Sequence, residues 1–427
     1  MEWTVSQKIY YPLTIIWNVI LVVSTLLFIS QRHSPSIRYR SITLSVLMVI
    51  SNSLVTTLYL GREPDVESFP CFLNLWISSI AIPLWLTSVA GRFMRLAFLY
   101  HFSQAKLMAG TGSARYVDKA TLENGAISTY LVLDENWYAQ HREKFTTKYI
   151  AKLIGACVAF QTVLTLIIQV FTIKFQITPK IATGGCLVGW EFIPVWLTSA
   201  FYVFLLCPLF ITWIRGVNDA YGIRRELIAD FTLGVLAFLL YIIFASFPQM
   251  KNIRLIFPAA HWSVVALVFS HIFSIVAPTI EALKGGPKTR KSTSLASFDS
   301  MVEDPRQFEV FKRFTLRDFS VENVLFYERV IQLKLKYQDL PYNPKGSLST
   351  EVVYELTNIY NTFITTGSEF ELNLEAATIS RLKERFQKEL RLDVFDQALM
   401  EVRNLMYRYT YPRFVKLSRK NLEETML

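Results

Sequence analysis

Charge is scarce in this sequence, and scarcest where the chain is most apolar. Only 18% of its 427 residues are Asp, Glu, Lys or Arg, while 52% are hydrophobic; soluble domains carry about 25% charge. The deficit is local. Residues 1–280 hold 34 charged residues and residues 281–427 hold 44. This excludes an ordinary soluble protein and a disordered chain, and four cysteines in such a length exclude a disulfide-stapled secreted domain. Enzyme motifs are missing as well: there is no G-x-x-x-x-G-K-[ST], H-E-x-x-H, G-x-S-x-G or C-x-x-C. No catalytic residue, metal site or cofactor is therefore expected. The run G-T-G-S-A at 110–114 lacks a third glycine and a preceding strand, and reads as a loop.

What is present in the first 280 residues is apolar length. A bilayer core needs about 20 apolar residues per helix. Seven segments qualify, near 10–30, 41–60, 71–91, 153–173, 192–214, 228–248 and 257–280. The alternate connections on one side carry 19 Lys/Arg and those on the other, with the N-terminus, carry 6. That bias places the N-terminus outside, the C-terminus in the cytoplasm, and a multi-pass chain in the plasma membrane. The net charge of +10 lies mostly beside these spans, which argues against nucleic acid as a partner and for the lipid bilayer.

Transport is disfavoured, because carriers need ionisable groups at mid-membrane. The spans contain no Lys, Arg or Glu and one Asp, Asp230, near an end. Asn18, Asn52, Gln161, Gln169 and His271 read as interhelical hydrogen-bonding groups, and His261 as a candidate contact for an extracellular small-molecule ligand. Arg92, just past the third span, reads as a snorkelling positive-inside residue, with an inner-face switch as the alternative.

Seven spans with the N-terminus outside resemble a G-protein-coupled receptor in architecture, although GRFMRL after the third span and SIVAPTI in the seventh do not match the rhodopsin-like motifs. The resemblance implies a disulfide between Cys71, at the start of the third span, and Cys186, in the loop before the fifth. Two unpaired thiols are the alternative. Cys157 and Cys207 lie inside spans.

Residues 284–302 combine glycine, proline, basic residues and a Ser/Thr cluster, and read as a juxtamembrane linker between a domain at 1–283 and one at 303–420. Its basic stretch, 284–291, suits anionic lipid, and phosphorylation at Ser292, Thr293 or Ser294 would weaken that adhesion. Beyond it, Val352, Leu356, Ile359 and Phe363, and again Phe395, Ala398, Val402 and Leu405, recur at helical spacing. Ser320, Ser349 and Asn373 stand where helix caps would. The fold class is all-α: a seven-helix transmembrane bundle followed by a helical domain.

Three blocks in that domain carry a second resemblance: FKRFTLRDFSVENVLFYERV at 311–330, IYNTFITTGSEFELNLEAATISRL at 359–382 and FDQALMEVRNLMYRYTYPRF at 395–414. Their order and spacing resemble the regulator of G-protein signalling domain, and the whole resembles the receptor-like regulators of fungi, plants and some protists. The resemblance implies a Gα subunit of a heterotrimeric G protein as partner, and acceleration of its GTP hydrolysis by a protein that is not itself an enzyme. Carried over, Ser320, Glu322 and Asn323 form one Gα-binding loop, Glu371 and Asn373 a second, and Leu405, Thr410 and Arg413 the remainder. Phe311, Phe314, Phe326, Tyr327, Tyr360, Phe363, Phe395 and Phe414 read as core. Where well-studied members carry Asp ahead of Thr410, this chain has Tyr409. A docking or scaffold protein with weak activation is therefore the alternative.

Overall fold

The computed structural model describes residues 4–111, 117–120, 127–130, 136–177, 183, 186, 189–284, 294–338, 348–388 and 390–425. Contacts divide the chain into two compact units. One comprises Met1–Ala97, Glu143–Val217 and Tyr221–Gly286; the other comprises Phe98–Arg142, Asn218–Ala220 and Pro287–Leu427.

Among the described residues, seven helices are long and apolar enough, by length and composition, to cross a membrane. They are α1 (Val5–Ser30), α2 (Ile42–Arg62), α3 (Cys71–Thr111), α4 (Thr147–Phe171), α5 (Trp190–Trp213, with a π turn at Tyr202–Leu206), α6 (Ile223–Ser246) and α7 (His261–Leu283, with a π turn at Ile272–Val276). Thr4 caps α1 by accepting from the Gln7 amide, and Thr146 caps α4 by accepting from that of Tyr149. Ile15, Val22, Phe160, Leu197 and Phe204 stand exposed. Small residues let helices approach: a Cβ at Gly91 would lie 2.7 Å from Ile150 Cγ2 of α4.

Polar side chains tie this unit together. Asn52 Nδ2 donates to the Leu267 carbonyl at 2.7 Å and its Oδ1 accepts from Trp17 Nε1 at 3.3 Å. Ser53 Oγ donates to Asn18 Oδ1 at 2.6 Å, Trp76 Nε1 donates to Gln169 Oε1 at 2.9 Å, and His271 Nε2 lies 2.7 Å from Ser24 Oγ. Arg92 differs from its sequence reading. It does not snorkel; at 2% exposure it is paired with Glu226 and lies 3.8 Å from Asp230. Arg40 holds the same Glu226 at 2.9 Å, and Ser274 links Arg92 to Asp230. Buried charge is tolerated here because opposite charges and donors are grouped. Cys71 and Cys186 are disulfide-bonded with their Cα atoms 5.2 Å apart.

A cavity of about 740 Å³ opens among α2, α3, α5, α6 and α7, lined by Tyr59, Arg62, Asn74, Trp85, Tyr241 and Arg254 among others. His261 is not among its lining residues and packs instead against the rings of Tyr10 and Phe257.

Among the described residues, the second unit combines helices with an antiparallel ribbon, β1 (Val117–Ala120) and β2 (Ile127–Tyr130), in which Val117 pairs with Tyr130. Its helices are α8 (Leu295–Glu303), α9 (Pro305–Asp318), α10 (Val321–Lys336), α11 (Thr350–Phe363), α12 (Ala376–Lys388), α13 (Asp396–Leu405) and, after a π turn at Met406–Thr410, α14 (Tyr411–Thr425). The residues of α3 from Phe98 onward also belong to it.

Two sequence readings change here. The sequence pattern ends the third apolar span at residue 91 with a loop beyond; the helix instead continues to Thr111, so Gly110 and Thr111 are helical, while 112–114 lie outside the described residues. The end of the presumed linker is also helical: α8 begins at Leu295, capped by Ser294, and its Phe298 and Met301 are buried. Ser292, Thr293 and the basic stretch 284–291, apart from Lys284, lie outside the described residues.

The core of this unit is aromatic. Phe326 packs edge-on against Phe363 and Phe395, with ring centroids 5.5 and 6.0 Å away. Phe311, Phe314, Phe326, Phe363 and Phe395 are buried, and Tyr327, Tyr360 and Phe414 pack against them half-buried. Each such ring adds roughly 0.5–1.5 kcal/mol per aromatic pair beyond its area burial.

Candidate functional site: polar loops of the C-terminal unit

The loop between α9 and α10 is a single tight turn. Phe319 adopts a left-handed conformation (φ 52°), uncommon for a bulky residue, and is held there by burial of its ring. The Ser320 amide then reaches back to the Thr315 carbonyl at 3.1 Å. This places Ser320, Glu322 and Asn323 at the start of α10. Ser320 occupies the cap position, yet its hydroxyl makes no capping bond.

Instead, Ser320 joins a cluster around Asp318, a residue the sequence reading did not single out. Asp318 is 2% exposed. Its carboxylate accepts from Arg413 Nη1 at 2.7 Å, Thr410 Oγ1 at 2.8 Å and Ser320 Oγ at 3.2 Å. Three of the eight residues assigned to Gα binding are thus brought together from both ends of the domain, with Ser320 and Thr410 buried. They form the floor that fixes the α9–α10 turn against the π turn. No local signal in the sequence marks Asp318, since its strongest partner is 95 positions away.

Glu322 and Asn323 are half-buried on the rim above that floor. Glu322 Oε2 lies 3.3 Å from Lys106 Nζ, which stands 5.8 Å from the Phe370 ring centroid in the second loop. That loop, between α11 and α12, turns at Gly367 (φ 83°), whose amide donates to Glu371 Oε2 at 2.8 Å. Glu371 is exposed and Leu372 beneath it is buried. Asn373 is exposed and makes no side-chain hydrogen bond among the described residues; it does not cap α12. Leu405 is half-buried at the end of α13, and Tyr409 is 44% exposed.

Among the described residues no group of three or more His, Cys, Asp or Glu side chains could hold a metal ion. What the arrangement offers is two neighbouring loops with short polar groups, on a rigid aromatic support.

Residues 297–419 match the family described as the regulator of G protein signaling domain. The chain is 32% identical over 140 residues to regulator of G-protein signaling 10 of Homo sapiens, an alignment covering 31% of this chain and 71% of that protein. It is 29% identical over 145 residues to regulator of G-protein signaling 14 of Rattus norvegicus, covering 32% of this chain and 25% of that protein. The chain thus spans about a quarter of the length of that rat relative. No solved structure matches the chain.

Proposed function

Because this chain belongs to the regulator of G-protein signalling family, we propose that its C-terminal unit binds a heterotrimeric Gα subunit and accelerates that subunit's GTP hydrolysis. Members of the family activate a GTPase and are not enzymes in the usual sense. The observation that carries this reading is the family match over 297–419, coinciding with two interhelical loops that present Glu322, Asn323, Glu371 and Asn373. Gα holds its own arginine and its own water-positioning glutamine. A partner that fixes the mobile switch segments supplies orientation, and orientation needs no nucleophile or metal. The Asp318 cluster holds the first loop, and the exposed Asn373 amide, without a side-chain hydrogen bond among the described residues, can donate and accept at once.

The same proposal places α1–α7 in the plasma membrane as a multi-pass anchor, with the N-terminus outside. The asymmetry of 19 to 6 basic residues in the connections supports that orientation. The roughly 740 Å³ cavity, bordered by Arg62, Arg254, Tyr59 and Tyr241, suits a small molecule sensed by the seven-helix unit. Adhesion of 284–291 to anionic lipid completes the proposed partners.

The test is selective retention. Full-length protein in lipid nanodiscs should retain a Gα subunit of the same organism more strongly with GDP and aluminium fluoride than with GDP alone. Equal retention of both states would leave a docking protein with little activation. That second reading has one observation in its favour, the exposed Tyr409 where the resemblance leads one to expect an aspartate.

A further inference from the structure

The chain contains its own occupant for the surface just described. Helix α3 has 41 residues, or about 60 Å at 1.5 Å per residue, roughly twice the thickness of a bilayer core. Its last turns, from Phe98, belong to the C-terminal unit. Ala105 is buried in that unit's core cluster, and Phe102, Leu107 and Ala109 pack against it.

The polar contacts fall on the two loops that carry the proposed Gα site. Lys106, at 9% exposure, places Nζ 3.3 Å from Glu322 Oε2 and over the rings of Phe102 and Phe370, at 5.0 and 5.8 Å. At Gly110 a Cβ would come within 2.5 Å of Leu325 on α10, so the helix end lies directly on α10. The connection leading away from α3 reaches the second loop: Arg142 Nη1 donates to the Gly367 carbonyl at 3.2 Å, beside the amide that Glu371 holds. The short stretch at 218–220 reaches the last turn of α9, just before the first loop, where the Ala220 amide donates to the Arg317 carbonyl at 2.9 Å.

We propose that the end of α3, Phe98–Thr111, with Arg142 and Ala220, is an autoinhibitory element that occupies the Glu322 side of the Gα-binding face while Glu371 and Asn373 stay exposed, and that the regulator works fully only when this element leaves. The inference rests on the Gα reading above. Glu322 cannot pair with Lys106 and meet a Gα switch segment at once, so the two occupants compete for one surface. A chain that is open only part of the time binds with its intrinsic affinity scaled by the open fraction. Because α3 is also one of the seven apolar helices, displacement of its end is a route by which that helix sets the activity of the regulator.

The experiment uses the full chain in nanodiscs and single-turnover GTP hydrolysis by Gα, at Gα concentrations below saturation. Lys106→Glu places a carboxylate against Glu322 and should raise the acceleration about tenfold over wild type, the gain expected if about a tenth of wild-type molecules are open. Lys106→Ala and Arg142→Ala should raise it less, and they decide the matter if Lys106→Glu does not fold. Equal acceleration by wild type and all three variants would overturn the autoinhibition and leave the Gα reading standing. If neither wild type nor any variant retains or activates Gα, the Gα reading falls, and this inference falls with it.

Discussion

Arg92 and Glu226, 134 residues apart, form an ion pair with side chains only 1% and 5% exposed. Glu226 also holds Arg40, so one carboxylate compensates two guanidiniums while Asp230 adds a second negative charge 3.8 Å from Arg92. Removing one member of a buried pair costs about 3–5 kcal/mol, because the charge left behind cannot be hydrated. Glu226→Gln should therefore lower the thermal midpoint of the solubilised protein sharply. Asp230→Asn should cost less, since Ser274 still bridges that position to Arg92. Thermal unfolding in one detergent compares the two, and equal midpoints would contradict this ranking.

Asp318 yields a second stability prediction. Asp318→Ala removes the buried carboxylate that accepts from Arg413, Thr410 and Ser320, and should destabilise the helical unit by about 3–5 kcal/mol. Arg413→Ala leaves Thr410 and Ser320 still donating to the carboxylate and should cost less. Limited proteolysis of the full chain, read on fragments of 295–425, separates the two.

Much of this was legible in the sequence because it is local. An apolar run long enough for a bilayer announces itself, and so do phenylalanines at helical spacing, which is why Phe311, Phe326, Phe363 and Phe395 were read as core and are buried. What escaped depends on residues far apart. Arg92 looks like a snorkelling residue until Glu226 and Asp230 arrive beside it on another helix. The helix past Gly91 was missed because hydropathy falls there, whereas its apolar side chains are covered by a protein core and need no long uninterrupted run. Phe298 was assigned to a linker because the glycines and charges just before it dominate the local composition. At the candidate site the sequence yielded Ser320, Thr410 and Arg413 by resemblance, but not the carboxylate that joins them.

Asp304 carries a pH prediction. It caps α9 by accepting from the amides of Arg306 and Gln307, and these hydrogen bonds hold its carboxyl below the usual aspartate range. A depressed folded-state pKa adds stability that is present above the unfolded value, about 3.9, and lost as pH falls through the folded value. Asp304→Ala should thus melt below wild type at pH 7, with the gap closing below about pH 4. A gap that stays constant down to pH 3 would mean the carboxylate is not the stabilising group.

Topology is tested on intact cells. On the proposed orientation, argued from the basic-residue asymmetry, an epitope appended after Leu427 should be labelled only after permeabilisation. Labelling without permeabilisation would require an even number of spans or the opposite orientation.

Asn373 tests the proposed mechanism most directly. A capping asparagine would lose about 1 kcal/mol of stability on truncation to alanine and leave activation nearly intact. The geometry does not favour that role: the side chain makes no hydrogen bond among the described residues, and α12 begins three positions later at Ala376. The Glu375 carbonyl, not Asn373, accepts from the Ile379 amide in the first turn. An exposed amide with no hydrogen bond among the described residues suits a group that orients the Gα glutamine and a switch backbone group together. Asn373→Ala should therefore fold and melt like wild type, yet reduce the acceleration of GTP hydrolysis about tenfold or more, equivalent to about 1.4 kcal/mol of transition-state stabilisation. Glu322→Lys, made in the Lys106→Ala chain so that release of the α3 end does not offset it, should act earlier, lowering Gα retention below that of Lys106→Ala through charge reversal on the first loop. Single-turnover rates and aluminium fluoride-dependent retention, measured side by side, distinguish the two effects. If both variants retain and activate Gα as their parent chains do, these loops do not touch Gα, and the docking-protein reading replaces the one argued above.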